Sequence, residues 1–99
     1  MAVLLRQVMP EGVDVGTLDE VSQEMDVEKN PPSGLVVHVH FMENGRVNVV
    51  DVWESAEAFQ SFQSDRLVPA IQKVLGRRGI TMDDQPETSL IEVPSIVRG

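Results

Sequence analysis

The chain has no cysteine among its 99 residues, which excludes disulfides, thiol catalysis and cysteine metal sites. It has only two histidines and one tryptophan, so any imidazole or indole chemistry must come from those three positions. Basic residues are scarce, eight against 16 acidic ones, for a formal charge of −8. No Lys/Arg cluster exceeds the pair Arg77 and Arg78. A phosphate backbone would be repelled, so nucleic acid is not an expected partner. The acidity reads instead as a device that keeps a small protein in solution. No apolar run approaches the roughly 18 residues a membrane span needs, so no membrane partner is expected. The opening "MAVLLRQVMP" is too short for a signal peptide and breaks at Pro10, which leaves a cytoplasmic location as the expectation. Nucleophile-elbow, P-loop and Gly-x-Gly-x-x-Gly signatures are absent.

What is present suffices for one domain over residues 1–99, with 41% hydrophobic residues and no repeat or linker. Ala2 to Met9 reads as a first strand, closed by Pro10 and Gly12. A helix follows, with Thr17 and Glu20 in capping-box spacing and Leu18, Val21 and Met25 along one side. Pro31 and Pro32 stop it. Leu35 to Met42 and Arg46 to Trp53 are strands rich in β-branched residues, joined by Asn44-Gly45, the pair a type I′ hairpin turn prefers. Ser55 caps a second helix that runs to about Leu75, divided near Pro69 and ended by Gly76 or Gly79. After the loop "TMDDQPE", Thr88 to Val93 is the last strand, followed by a tail that adds an edge piece or frays. The order βαββαβ is the α+β, ferredoxin-like arrangement: a four-stranded antiparallel sheet with two helices on one face.

Counting outward from a two-residue turn pairs Met42 with Val47, His40 with Val49, His38 with Asp51 and Val36 with Trp53. One face of the hairpin then carries Val36, His38, His40, Met42, Val47, Val49, Asp51 and Trp53. The other carries Leu35, Val37, Val39, Phe41, Val50 and Val52 with Asn48. The aliphatic face is expected to pack on the helices. The mixed face, with its imidazoles and carboxylate, is expected to lie away from them and to line a cavity or subunit interface. A three-residue turn would bury Asp51 against the helices, at a cost of several kcal/mol if unpartnered, which favours the first register.

The residues "DVWESAEAFQSF", with this element order and length, resemble the dimeric α+β barrel superfamily. They are most similar to its antibiotic-biosynthesis-monooxygenase-like group of small bacterial proteins. Asp51 and Trp53 fit that group's acidic and aromatic positions, and Ser55 and Glu57 to Phe59 fit its helix start. Phe62 stands where many members have a histidine. The resemblance implies a homodimer paired sheet against sheet, with the non-helical faces lining a barrel.

His38 opposite Asp51 is the sharpest chemical constellation. A carboxylate beside an imidazole fixes its tautomer and makes it a usable general base. Trp53 would supply a flat wall for a hydrophobic or aromatic ligand, with His40, Met42 and Val49 lining the same site. The alternative is that His38 and Asp51 merely satisfy each other inside a dimer interface. His38 and His40 share a strand face and could bind a metal with Asp51 or a partner residue, but no local metal signature accompanies them, so neither metal nor cofactor is expected. Phe59, Phe62, Leu67, Ile71 and Val74 follow helical spacing and are expected in the core. Two functions compete. One is a cofactor-independent monooxygenase or isomerase with His38 as base, Asp51 as its orienter and Trp53 as substrate wall. The other is a non-catalytic ligand-binding or structural dimer with a closed interior. An open cavity reaching His38 would favour the first.

Overall fold

The hairpin turn sets the register of the sheet. In the computed structural model, which describes residues 1–81 and 86–99, Asn44 and Gly45 take φ of 55° and 74°. Both are positive, as a type I′ turn requires. Strand β2 (Leu35–Glu43) therefore meets β3 (Arg46–Trp53) with His40 opposite Val49 and His38 opposite Asp51. The pairing departs from the count at its far end. Val36 is an extra residue in β2, so Leu35, not Val36, lies opposite Trp53. The bulge has a packing reason: it turns Leu35 onto the face of Trp53, where it joins the cluster around Val3, Leu5 and Phe59.

Strands β1 (Ala2–Val8) and β4 (Glu87–Val93) complete an antiparallel sheet in the order β2-β3-β1-β4. The element order is the expected βαββαβ. Residues 82–85 of the loop before β4 lie outside the described residues. The tail after β4 adds no strand. Among the described residues no helix is long and apolar enough to cross a membrane.

The first helix, α1 (Val15–Met25), is capped by Asp14 rather than by Thr17. The Asp14 carboxylate accepts from the Thr17 backbone N–H at 2.7 Å and from its hydroxyl at 2.8 Å, so Thr17 sits one turn inside the helix and is buried. The second helical run begins at Ser55, whose Oγ accepts from the Ala58 N–H at 3.1 Å. It proceeds as α2 (Ala56–Phe62), a π-helical turn (Gln63–Leu67) and α3 (Val68–Arg78). Pro69 lacks the N–H that would close on Asp65, and the wider turn just before it absorbs that loss without breaking the run. Gly79, at φ 66°, ends it.

The two faces of the sheet are reversed relative to expectation. The mixed face packs under the helices: Trp53 lies against Phe59 and Phe62, and Val47 and Val49 lie with Met9 and Val13 beside Val15 and Leu18 of α1. The aliphatic face is bare, with Val37, Val39, Phe41 and Ile91 exposed. Two physical facts decide this. Trp53 needs a thick layer around it and finds one only against α2. Asp51 is buried but not alone, because His38 and Trp53 both donate to it, so the penalty that argued for the opposite orientation is offset.

The Asp14 cap carries a pH signature. Its hydrogen bonds from the Thr17 hydroxyl and backbone N–H, aided by the charge of Arg78, hold the carboxyl below the ordinary carboxylate range. A lowered folded value means that the stabilisation is present above the unfolded value and is lost as pH falls through the folded one. Asp14→Ala is therefore expected to lower the melting temperature at neutral pH. The gap to the parent should close as pH drops below about 4, which thermal melts across pH would show.

Candidate functional site

The helix-side face of the sheet does not pack shut. A cavity of about 850 Å³ lies between it and the helices, within the range that takes a small organic ligand. Leu5, His38, Val49, Asp51 and Trp53 form its floor. From α1 come Leu18, Val21 and Met25, and from the second helical run come Phe62, Leu67, Ile71 and Leu75. Phe59 and Val74 are core as expected, whereas Phe62, Leu67 and Ile71 turn out to be cavity wall. The lining is mainly apolar, broken by Gln7, Gln63, Gln72 and Thr88, which suits a hydrophobic ligand with a few polar substituents.

The connection from α1 to β2 also faces this space through Val27, Glu28 and Pro32. Arg66 anchors that connection. Its Nη2 donates to the Met25 carbonyl at 2.5 Å and to the Asn30 carbonyl at 2.9 Å, while its guanidinium lies 5.8 Å from the Phe62 ring centre. The π-helical turn carries Arg66 and supplies Gln63 and Leu67 to the cavity, so one local irregularity shapes the wall and fixes the loop beside it.

The polar centre of the floor is a chain of contacts. Trp53 Nε1 donates to Asp51 Oδ2 at 3.2 Å, and His38 Nδ1 lies 2.6 Å from Asp51 Oδ1. The second contact is the shorter of the two and joins a ring nitrogen to a carboxylate oxygen. His38 Nε2 then meets His40 Nδ1 at 3.2 Å, and His40 Nε2 lies 3.5 Å from Asp19 Oδ1 on α1. Asp51 is buried, whereas His38 is partly exposed and Asp19 is exposed. Both nitrogens of His38 are thus engaged, and it has no ring nitrogen free for a ligand. Asp51 retains acceptor capacity: after accepting from His38 and Trp53, each of its oxygens keeps a lone pair at the cavity floor.

Of the residues expected to line the site, His38, Asp51, Trp53 and Val49 meet in the cavity. His40 and Met42 do not border it. His40 stands behind His38 toward α1, and Met42 projects into solvent beside the turn. Among the described residues no three His, Asp or Glu side chains converge on a point that could hold a metal ion. Asp19 and Arg66 were missed from sequence. Each acts across the fold, on β2 and on the α1–β2 connection respectively, and neither belongs to a local motif.

Comparison with solved structures places this geometry on a known frame. The chain superposes over 99% of its length, and 97% of the other, on SnoaB, a cofactor-independent oxygenase from Streptomyces nogalater (TM-score 0.62, 15% identity). The chain has the fold of the antibiotic-biosynthesis-monooxygenase-like proteins. It also matches Rv0793 from Mycobacterium tuberculosis over 98% of both chains (TM-score 0.64, 10% identity). A candidate antibiotic biosynthesis monooxygenase from Caulobacter crescentus matches over 95% of this chain and 90% of its own (TM-score 0.64, 13% identity). No protein-family model and no curated protein matches the sequence. At these identities the likeness is one of fold.

Trp53 has two separable roles here, filling space and holding Asp51. Trp53→Ala should cost about 3–5 kcal/mol of stability, because it leaves a large void beside Phe59 and Phe62. Trp53→Phe keeps most of the ring and removes the donor to Asp51, which should cost about 1–3 kcal/mol. Urea unfolding of the two variants checks both numbers.

Proposed function

We propose that the chain binds a small hydrophobic aromatic molecule in the helix–sheet cavity and oxygenates it without a cofactor, using His38 and Asp51 as the acid–base pair. The single observation that carries this reading is the contact of buried Asp51 with His38, beside Trp53 on the floor of an open, mainly apolar cavity. A closed interior would have favoured a structural dimer. The shared fold with a cofactor-independent oxygenase supports the same chemistry.

The roles of the pair differ from those expected of the sequence. With both His38 nitrogens occupied, the ligand's proton enters at Asp51, and His38 shares it across the 2.6 Å contact. Loss of that proton from an acidic hydroxyl or C–H leaves an electron-rich aromatic anion. The anion reduces O2 and forms a C–O bond, and the pair returns a proton to give a hydroperoxide. Breaking the O–O bond with loss of the second C–H hydrogen as water leaves a carbonyl. One oxygen atom enters the product, the other leaves as water, and the substrate supplies every electron. A mainly apolar cavity favours this order, since it excludes the water that would solvate the anion.

The bare sheet face supports a homodimer. Val37, Val39 and Phe41 of β2 and Ile91 of β4 are exposed on one side, with Leu4, Val50 and Val52 between them by register. A second copy of the same face is the self-complementary cover for such a surface. The dimer expected across the mixed face is not proposed, because the chain's own helices occupy that side.

Two experiments test these readings. Oxygen uptake with a panel of polycyclic phenols should reveal turnover that falls by roughly 10²–10⁴-fold in Asp51→Asn. Binding of 2-naphthol should quench the fluorescence of Trp53, the only tryptophan. No quenching and no uptake with any member would sink the oxygenase reading. Sedimentation should give a dimer for the parent and a monomer for Val39→Asp, which places a charge among the exposed apolar side chains of the bare face; a monomeric parent overturns the dimer.

A further inference from the structure

We infer that His38 and His40 form a proton relay that joins the buried carboxylate of Asp51 to the exposed carboxylate of Asp19, and so links the cavity to solvent. The inference follows from counting protons. Two hydrogen bonds, Asp51 Oδ1 to His38 Nδ1 and His38 Nε2 to His40 Nδ1, lead to an ion-pair approach of His40 Nε2 to Asp19 Oδ1 at 3.5 Å. The Asp51 oxygen is an acceptor, so its contact needs a proton on His38 Nδ1, and the approach to Asp19 is an ion pair only with a proton on His40 Nε2 and a positive ring. The central nitrogen–nitrogen contact needs one proton, on either ring. Three protons on four ring nitrogens is one more than two neutral imidazoles carry. The line therefore satisfies all its contacts only when the two rings share one excess proton.

Such a line conducts in both directions. Shifting each proton one place toward the cavity puts a proton on Asp51 and leaves both imidazoles neutral. From there it can reach a bound anion. Shifting outward brings the excess charge to His40 Nε2, beside Asp19 and bulk water. The two ends fit this direction of travel, because Asp51 is buried and Asp19 is exposed, with an exposed His38 and a half-buried His40 between them. Among the described residues, the ion-pair partners of the two rings are Asp51 from β3 and Asp19 from α1, and the other carboxylate lining the cavity is Glu28. The relay assigns His40 and Asp19 as positioning and proton-transfer residues outside the cavity. Its part in turnover rests on the acid–base reading above; its existence does not.

The test uses the intact protein with its histidine rings labelled with 15N and no substrate. On titration the pair should take up protons in two separate steps, the mark of coupled sites. Between the steps, a nitrogen–nitrogen scalar coupling should link His38 Nε2 to His40 Nδ1, and it should vanish once both rings are fully protonated. Asp19→Asn, a change at an exposed position, should narrow the interval between the steps, whereas Asp26→Asn should leave it unchanged. Two rings that titrate independently with no coupling overturn the relay, even if aromatic turnover is found. The coupled pattern in a protein that oxygenates nothing leaves the relay standing and removes the oxygenase reading alone.

Discussion

The contact between Asp51 and His38 is the interaction on which the arrangement of the molecule turns. A carboxylate beneath a layer of helices loses its hydration, and an unpartnered one would cost several kcal/mol or force the strand to present its other face. Here one oxygen is held by His38 at 2.6 Å and the other by Trp53 at 3.2 Å. The charge is thus kept where water is scarce. Strand alternation then carries Val47, Val49 and Trp53 to the same side, and the opposite side is left aliphatic and uncovered.

The cavity is a consequence of how the helices meet this face. The sheet is covered at its ends by two packed clusters, one around Trp53 and Phe59 and the other around Val47 and Met9. A third cluster joins α1 to α3 through Val21, Ala70 and Val74. Outside the core, Arg77 bonds Glu24 and Glu20 and ties the same two helices together. The helices are therefore braced against each other as well as against the sheet, so the floor between the clusters need not be filled. Arg66 closes the frame by fixing the α1–β2 connection to the π-helical turn.

The site that results combines fixed parts with a path out. Trp53 is rigid because it is buried between two phenylalanines and hydrogen-bonded at its indole nitrogen. The imidazole line, in contrast, lies on the edge strand β2 and ends beside the exposed Asp19 of α1. A rigid wall for an aromatic ring beside a line of exchangeable protons is a sensible division of labour for acid–base chemistry on an apolar ligand.

By itself the sequence determined the element order, the hairpin turn and the pairing of His38 with Asp51. Each follows from short-range rules: β-branched runs, the need of Asn44 and Gly45 for positive φ, and counting by twos from the turn. It also brought Trp53 and Asp51 to one face, because residues two apart on a strand always share a side. Which side the helices would cover was not legible, since period-2 alternation separates two faces without saying which is inside. The tertiary structure decided that through the bulk of Trp53 against α2 and the partners that make a buried Asp51 tolerable. It also decided the bulge at Val36, the use of Phe62, Leu67 and Ile71 as cavity wall, and the meeting of His40 with Asp19. These depend on distances between elements far apart in the chain, which no local pattern encodes.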